Sequence, residues 1–266
     1  MSTLRTTLVA VFTLGLIATA SPAQTPSPCG VVAQGLIIYG PFPKTGAPFS
    51  ATIKTTREQK FVDGNAIHGQ IVTHYYRDSA GHIRAEMSTG CDIGADGQFR
   101  PLINISVNDP VARTSTSWTV NDTGEKVARF YHQPAPQPAP AAPPLTEEQR
   151  KLIAMAQDRS TRNDHSEKLG TRIIAGVLCD GTRSVHIVPA GDKGNEQPIE
   201  ISTEFWTTRD SRIVMLNIQD DPYTGRNTTE VTEFSLAEPD PSLFAPPPDY
   251  KLVEQFNTTV PASAVK

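Results

Sequence analysis

His68, His74 and His82 are the residues of this 266-residue chain whose side chains could gather round a metal ion. His68 and His74 share one face of an alternating segment, yet six residues of extended chain set them about 20 Å apart. His82 lies across a turn from Arg77 and Asp78, so a metal site would need a further element to collect the three. Acid–base chemistry fares no better. Glu200 and Glu204 share a strand face at about 13 Å, wider than the roughly 5–9.5 Å of paired glycosidase carboxylates. Glu230 and Glu233 fall by parity on opposite faces. An enzyme would need a compact polar cluster, with Arg77, Asp78, His82 and Glu86 converging.

Familiar catalytic signatures are missing from the sequence. There is no Gly-x-Ser-x-Gly, His-Glu-x-x-His, P-loop or Rossmann glycine pattern, and Gly191-Asp192-Lys193-Gly194 reads as a loop tip. Cys29, Cys91 and Cys179 show no Cys-x-x-Cys spacing; in an exported protein two of them could pair, and the sequence does not choose which. A net charge of −4 without a Lys/Arg cluster gives no support for a nucleic-acid partner. The expectation is a non-enzymatic protein without cofactor or metal.

The elements around these residues read as β. Residues 1–23 have the form of a secretory signal peptide, with Arg5 as its charged start, an apolar core over 8–18 and small residues up to Ala20 or Ala23. That core is too short to span a bilayer, so the mature chain is expected to be soluble in the periplasm or outside the cell. Residues 24–48 are rich in Pro and Gly. A single β-rich domain is expected over 49–250, beginning with a first meander over 49–131 of about six strands. Residues 133–144 hold six prolines and four alanines and should form an extended excursion. Thr146-Glu147-Glu148-Gln149 is a capping box that starts a helix over 146–159 with Leu152, Met155 and Ala156 as its apolar stripe.

A second meander is expected over 169–238. Residues 171–178 read as one doubly apolar strand, turned by Asp180-Gly181 into the next. Residues 197–207 alternate, and 212–219 form another doubly apolar strand. Short links argue for antiparallel pairing. A closing segment over 239–250 is pinned by Leu243 and Phe244, and 251–266 read as a loose tail. The fold class is therefore mainly β: a strongly curved antiparallel sheet or half-open barrel of about 10–11 strands with one packed α-helix. Tyr75, Trp118, Phe205, Met215 and Phe234 from the strands, with Leu152 and Met155 from the helix, are the candidate lining of an apolar cavity between sheet and helix.

The stretches 73–84, 204–206 followed by 212–216, and Ser242-Leu243-Phe244-Ala245-Pro246 resemble the lipoprotein-localisation superfamily of LolA and LolB carriers and RseB-type periplasmic regulators. That resemblance implies a half-open barrel of about eleven strands with a helical lid over an apolar cavity. It also implies a hydrophobic small molecule or lipid as ligand, or alternatively an envelope protein as partner of a sensor module. Arg77 corresponds to an arginine that helps latch the lid in the carriers, although Asp78 stands where they have proline. Residues 76–81 and 189–195 resemble a secreted bacterial family, a likeness that implies no activity.

Overall fold

The computed structural model describes residues 37, 45–94, 96–120, 124–134 and 143–255. The signal-peptide reading, Cys29, nearly all of the Pro/Gly-rich start, the centre of the Pro/Ala excursion and residues 256–266 lie outside the described residues. The chain is mainly β. Its first meander comprises β1 (Phe49–Lys60), β2 (Ala66–Arg77), β3 (Ile83–Ile93), β4 (Phe99–Asp109), β5 (Thr114–Val120) and β6 (Val127–His132). Helix α1 (Glu147–Asn163) follows. The second meander is β7 (Asp164–Ile174), β8 (Val177–Val188), β9 (Ile199–Thr208), β10 (Val214–Asp221) and β11 (Gly225–Ser235). A 3₁₀ turn (Pro241–Phe244) and β12 (Lys251–Gln255) complete it.

All twelve strands belong to one sheet that does not close into a barrel, in the order β12-β6-β5-β4-β3-β2-β1-β11-β10-β9-β8-β7. Every neighbouring pair is antiparallel except β12 on β6, which is parallel. The meanders are joined where β1 pairs with β11. After β6 the chain passes to the far edge, starts again at β7 and works back to the centre.

Three details differ from the sequence reading. Residues 171–178 are not one strand: Ala175 and Gly176, both at positive φ (47° and 80°), turn β7 into β8. Two successive left-handed residues match the twist of a tight hairpin. Asp180-Gly181 instead sits inside β8, where Gly181 pairs with Trp206. A Cβ there would come within 2.7 Å of the indole ring, so the glycine makes room for a side chain and not for a turn. Thirdly, Lys251–Gln255, read as part of a tail, pairs with Val127–Tyr131 as the twelfth strand.

Helix α1 starts as its capping box requires. The Thr146 amide donates to Gln149 Oε1 at 2.9 Å, and the Gln149 amide donates to Thr146 Oγ1 at 3.2 Å. The helix runs four residues past Arg159 and lies chiefly against β7 and β8.

The buried residues form two clusters. One joins Phe49, Ala51 and Ile53 of β1 to Val231, Met215, Trp206, Cys179 and Ile174. The other is Ile105, Val107, Trp118 and Ala128, roofed by Phe244 and Tyr250 of the closing segment. Full burial of an aliphatic side chain such as Ile53 or Met215 contributes about 1.5–3 kcal/mol. The closing segment is held to the sheet through Phe244, the Leu243 carbonyl and Tyr250. Arg84 Nη1 donates to the Leu243 carbonyl at 2.6 Å, Tyr250 packs edge-on against Trp118, and Tyr250 Oη donates to the Thr119 carbonyl.

Candidate functional site

Between the two clusters, the even-numbered face of β1 carries Ser50, Thr52 and Lys54 opposite the buried Phe49, Ala51 and Ile53. Register extends this polarity across four strands. Glu86 of β3 faces His74 of β2, His74 faces Thr52 of β1, and Thr52 faces Glu233 of β11. A second row runs beside it: Arg84, Tyr76, Ser50 and Ser235. Directly opposed residues share a face, so all eight polar side chains lie on one side over three strand spacings, about 14 Å.

These rows are partly wired together. Thr52 Oγ1 donates to Glu233 Oε2 at 2.9 Å and lies 3.3 Å from His74 Nδ1. Arg84 Nε donates to Glu86 Oε1 at 2.7 Å, and its guanidinium lies 5.3 Å from the Trp118 ring centre. Burial pushes the Tyr76 phenol above its ordinary pKa, and the nearby Glu86 carboxylate adds to the effect. A recess of about 240 Å³ opens here, lined by Ser50, Ala51, Thr52, Tyr76, Glu233, Phe234 and Ser235.

The register corrects one sequence reading. A β-bulge between Thr52 and Ile53 sets Glu233 opposite Thr52 and Glu230 opposite Lys54. Their β1 partners are two apart, so the two glutamates share a face; parity counting missed the extra residue that a bulge inserts.

Of the four residues that an enzyme reading needed together, only Asp78 and His82 meet. His82 Nδ1 is 2.6 Å from Asp78 Oδ2, and its Nε2 is 3.3 Å from Asp109 Oδ2, so an imidazolium donates to one carboxylate from its own turn and to another at the end of β4. The Asp78 hydrogen bond raises the His82 pKa; burial opposes this, and the charges of Asp78 and Asp109 reinforce it. Glu86 pairs with Arg84. Arg77, 1 % exposed, turns to the other face, where Nη1 donates to the Ala47 carbonyl at 2.8 Å and also to that of Gly46. Burial lowers its pKa and the Asp78 charge opposes that. The guanidinium thus holds segment 46–47. The Gly46 amide in turn donates to Ser79 O at 2.7 Å.

The seven apolar candidates are not gathered. Met215 is fully buried within the first cluster, with Tyr75 and Phe234 packed against it, while Trp118 is buried in the second. Phe205 points away from Trp206 by strand alternation and faces Asn217 and Thr182. Leu152 and Met155 stand in solvent, 59 % and 60 % exposed. They extend from a helix that leads directly into β7, beside a second recess of about 520 Å³. Asp164, His165, Ser166, Ser184, Val185, His186, Ile201 and Thr203 line it. Within it, Asp164 and His186 are paired in register and through their side chains. Cys91 is disulfide-bonded and Cys179 is a buried free thiol.

Sequence reading singled out His74 and Glu233 but not Ser50, Thr52 or Ser235. The alternation of residues 49–54 is visible in the chain; that four strands align their polar sets depends on register across β1 and β11, some 180 residues apart. Among the described residues no group of three metal-ligating side chains is present and no helix is long and apolar enough to cross a membrane.

No protein-family model matches the sequence, and no curated protein matches it. Solved structures with a similar course of chain include the Pseudomonas aeruginosa MucA/MucB complex, at 12% identity over 77% of this chain and 58% of that one, with a TM-score of 0.32. This chain therefore spans under two thirds of that one. A β-barrel-like protein of a domain of unknown function from Brucella abortus is similar at 8% identity, 74% and 100% coverage and TM-score 0.26. A domain described as an outer membrane lipoprotein-sorting protein from Vibrio parahaemolyticus gives 7% identity, 71% and 85% coverage and TM-score 0.24. Likeness at this level transfers neither a function nor a site.

Proposed function

We propose that the chain is an exported, non-enzymatic binding protein that takes an apolar ligand, an acyl chain of a lipid, between α1 and the face formed by β7, β8 and β9. The observation that carries this reading is the apolar stripe of α1. Leu152, Ile153 and Met155 are all exposed on a helix that rests chiefly on two strands. Exposing three neighbouring large apolar side chains is unfavourable unless something covers them. The recess of about 520 Å³ on β7, β8 and β9, which starts at the residue after α1, falls within the roughly 300–1,000 Å³ of ligand pockets. Val185 and Ile201 supply its apolar lining, while Ser166, Ser184 and the Asp164–His186 pair suit the polar end of an amphiphile. Burial of the ligand would drive binding at about 25 cal/mol per Å² of apolar surface.

Displacement of a fluorescent fatty acid, with native mass spectrometry of protein incubated in lipid extract, tests the reading. Binding should weaken at least tenfold in a Leu152→Glu, Met155→Glu double variant whose thermal stability is unchanged. Absence of bound lipid in both assays would end the proposal. The alternative is docking of an extended segment of another envelope protein on the edge strand β7, which pairs on one side only. It would leave fatty-acid binding absent and appear as a complex abolished by Ser166→Pro.

A further inference from the structure

We infer that the polar rows across β3, β2, β1 and β11 form a second binding site, separate from the acyl-chain site, whose ligand is a saccharide. The recess over Ser50, Thr52, Tyr76, Glu233 and Ser235, about 240 Å³, is less than half the size of the one beside β7 and is on the scale of a sugar ring. Its chemistry excludes other ligand classes. An anion would meet the Glu233 carboxylate, while the Arg84 guanidinium is already engaged by Glu86 and the Leu243 carbonyl and Lys54 stands opposite Glu230. An apolar ligand would cover the Ser50 and Tyr76 hydroxyls and the remaining lone pairs of Glu233 without pairing them, at about 1–3 kcal/mol for each unsatisfied group.

A pyranoside satisfies them. Ser50, Tyr76 and Ser235 each bring a hydroxyl that donates one hydrogen bond and accepts others, as sugar hydroxyls do, while Thr52 gives its proton to Glu233. Glu233 accepts one bond from Thr52 and keeps further lone pairs for a vicinal diol. The half-buried Tyr76 ring supplies an apolar wall for the C–H face of the ring. The row is also directional. His74, Thr52 and Glu233 are in hydrogen-bond distance in sequence across three strands, so a proton on His74 Nδ1 orients the Thr52 hydroxyl toward the carboxylate. A preset acceptor is what a neutral polyol needs, because polar groups left unpaired by an ill-fitting ligand penalise its binding. Because strands lie about 4.8 Å apart, a short oligosaccharide laid across them follows a polar row and meets a new strand with each unit.

Titration of the full-length protein with chitotriose, cellotriose and maltotriose, followed by backbone amide shifts and calorimetry, tests this. One of the three is expected to bind and to move the amides of residues 50–52, 76 and 233–235. Glu233→Gln is expected to raise its Kd about tenfold, one strong hydrogen bond's worth, and Tyr76→Phe several-fold, both with unchanged circular dichroism. The Leu152→Glu, Met155→Glu variant should bind the sugar normally, so failure of the acyl-chain reading would not mimic failure here. Absence of binding by all three sugars at millimolar concentration, or binding indifferent to both variants, overturns the inference.

Discussion

Gly181 lies flat beneath Trp206, its register partner, with no room for a methyl group between them. The indole is part of the larger core cluster, so this contact sets how closely β8 and β9 can approach. Gly181→Ala should cost about 1–3 kcal/mol, the range of overpacking in a filled core, seen as a lower denaturation midpoint at constant slope. Trp206→Leu, which removes the offending ring, should suppress much of that loss in the double variant.

Arg77 is expected to anchor segment 46–47 to the sheet. Arg77→Met would leave the Gly46 and Ala47 carbonyls without their donor, at about 1–3 kcal/mol. Arg77→Lys should not restore stability, because a single ammonium replaces a forked donor. Limited proteolysis near residues 45–48 should accelerate in both variants ahead of any cut in the strands.

Stability should fall on both sides of a pH window set by His82 and Asp109. The His82 pKa is raised in the fold from its ordinary 6.5. Its contribution is therefore complete below 6.5 and fades as pH rises through the raised value. For Asp109, burial alone would raise the pKa, but the amides of Ala112 and Val111 and the charge of His82 together lower it from 3.8. That contribution is present above 3.8 and fades as pH falls through the lowered value. Chemical denaturation from acid to pH 9 should show both arms, and His82→Gln should abolish the alkaline one and also shrink the acid one, because the imidazolium is part of what lowers Asp109.

Thr146→Ala should loosen α1 without loosening the sheet. Losing an N-cap costs about 1 kcal/mol of helix stability. Because α1 rests chiefly on β7 and β8, hydrogen exchange should quicken in residues 147–155 while amides of β1, β2 and β11 keep their protection.

What could be read from the chain followed from how local each signal was. Thr146 and Gln149 meet within one turn, and the capping box stated where α1 begins. Asp180-Gly181 looked like a hairpin because it is locally indistinguishable from one; its glycine answers to Trp206, 25 positions away. Ala175 carries a left-handed φ that alanine rarely adopts, so no residue type announced the true turn. Lys251–Gln255 is five residues long and follows a proline-rich segment, and its strand character comes from β6 alone. The polar rows needed a bulge at Thr52 to bring Glu233 into line, and bulges leave no mark in parity counting.

The order of strands gives the C-terminal half an unusual hold on the rest. It supplies β11 to one flank of the first meander and β12 to the other, clasping β1 through β6 like a bracket. A chain severed between residues 133 and 145 would therefore remain a single particle, and its two fragments, expressed apart, should find one another and reassemble.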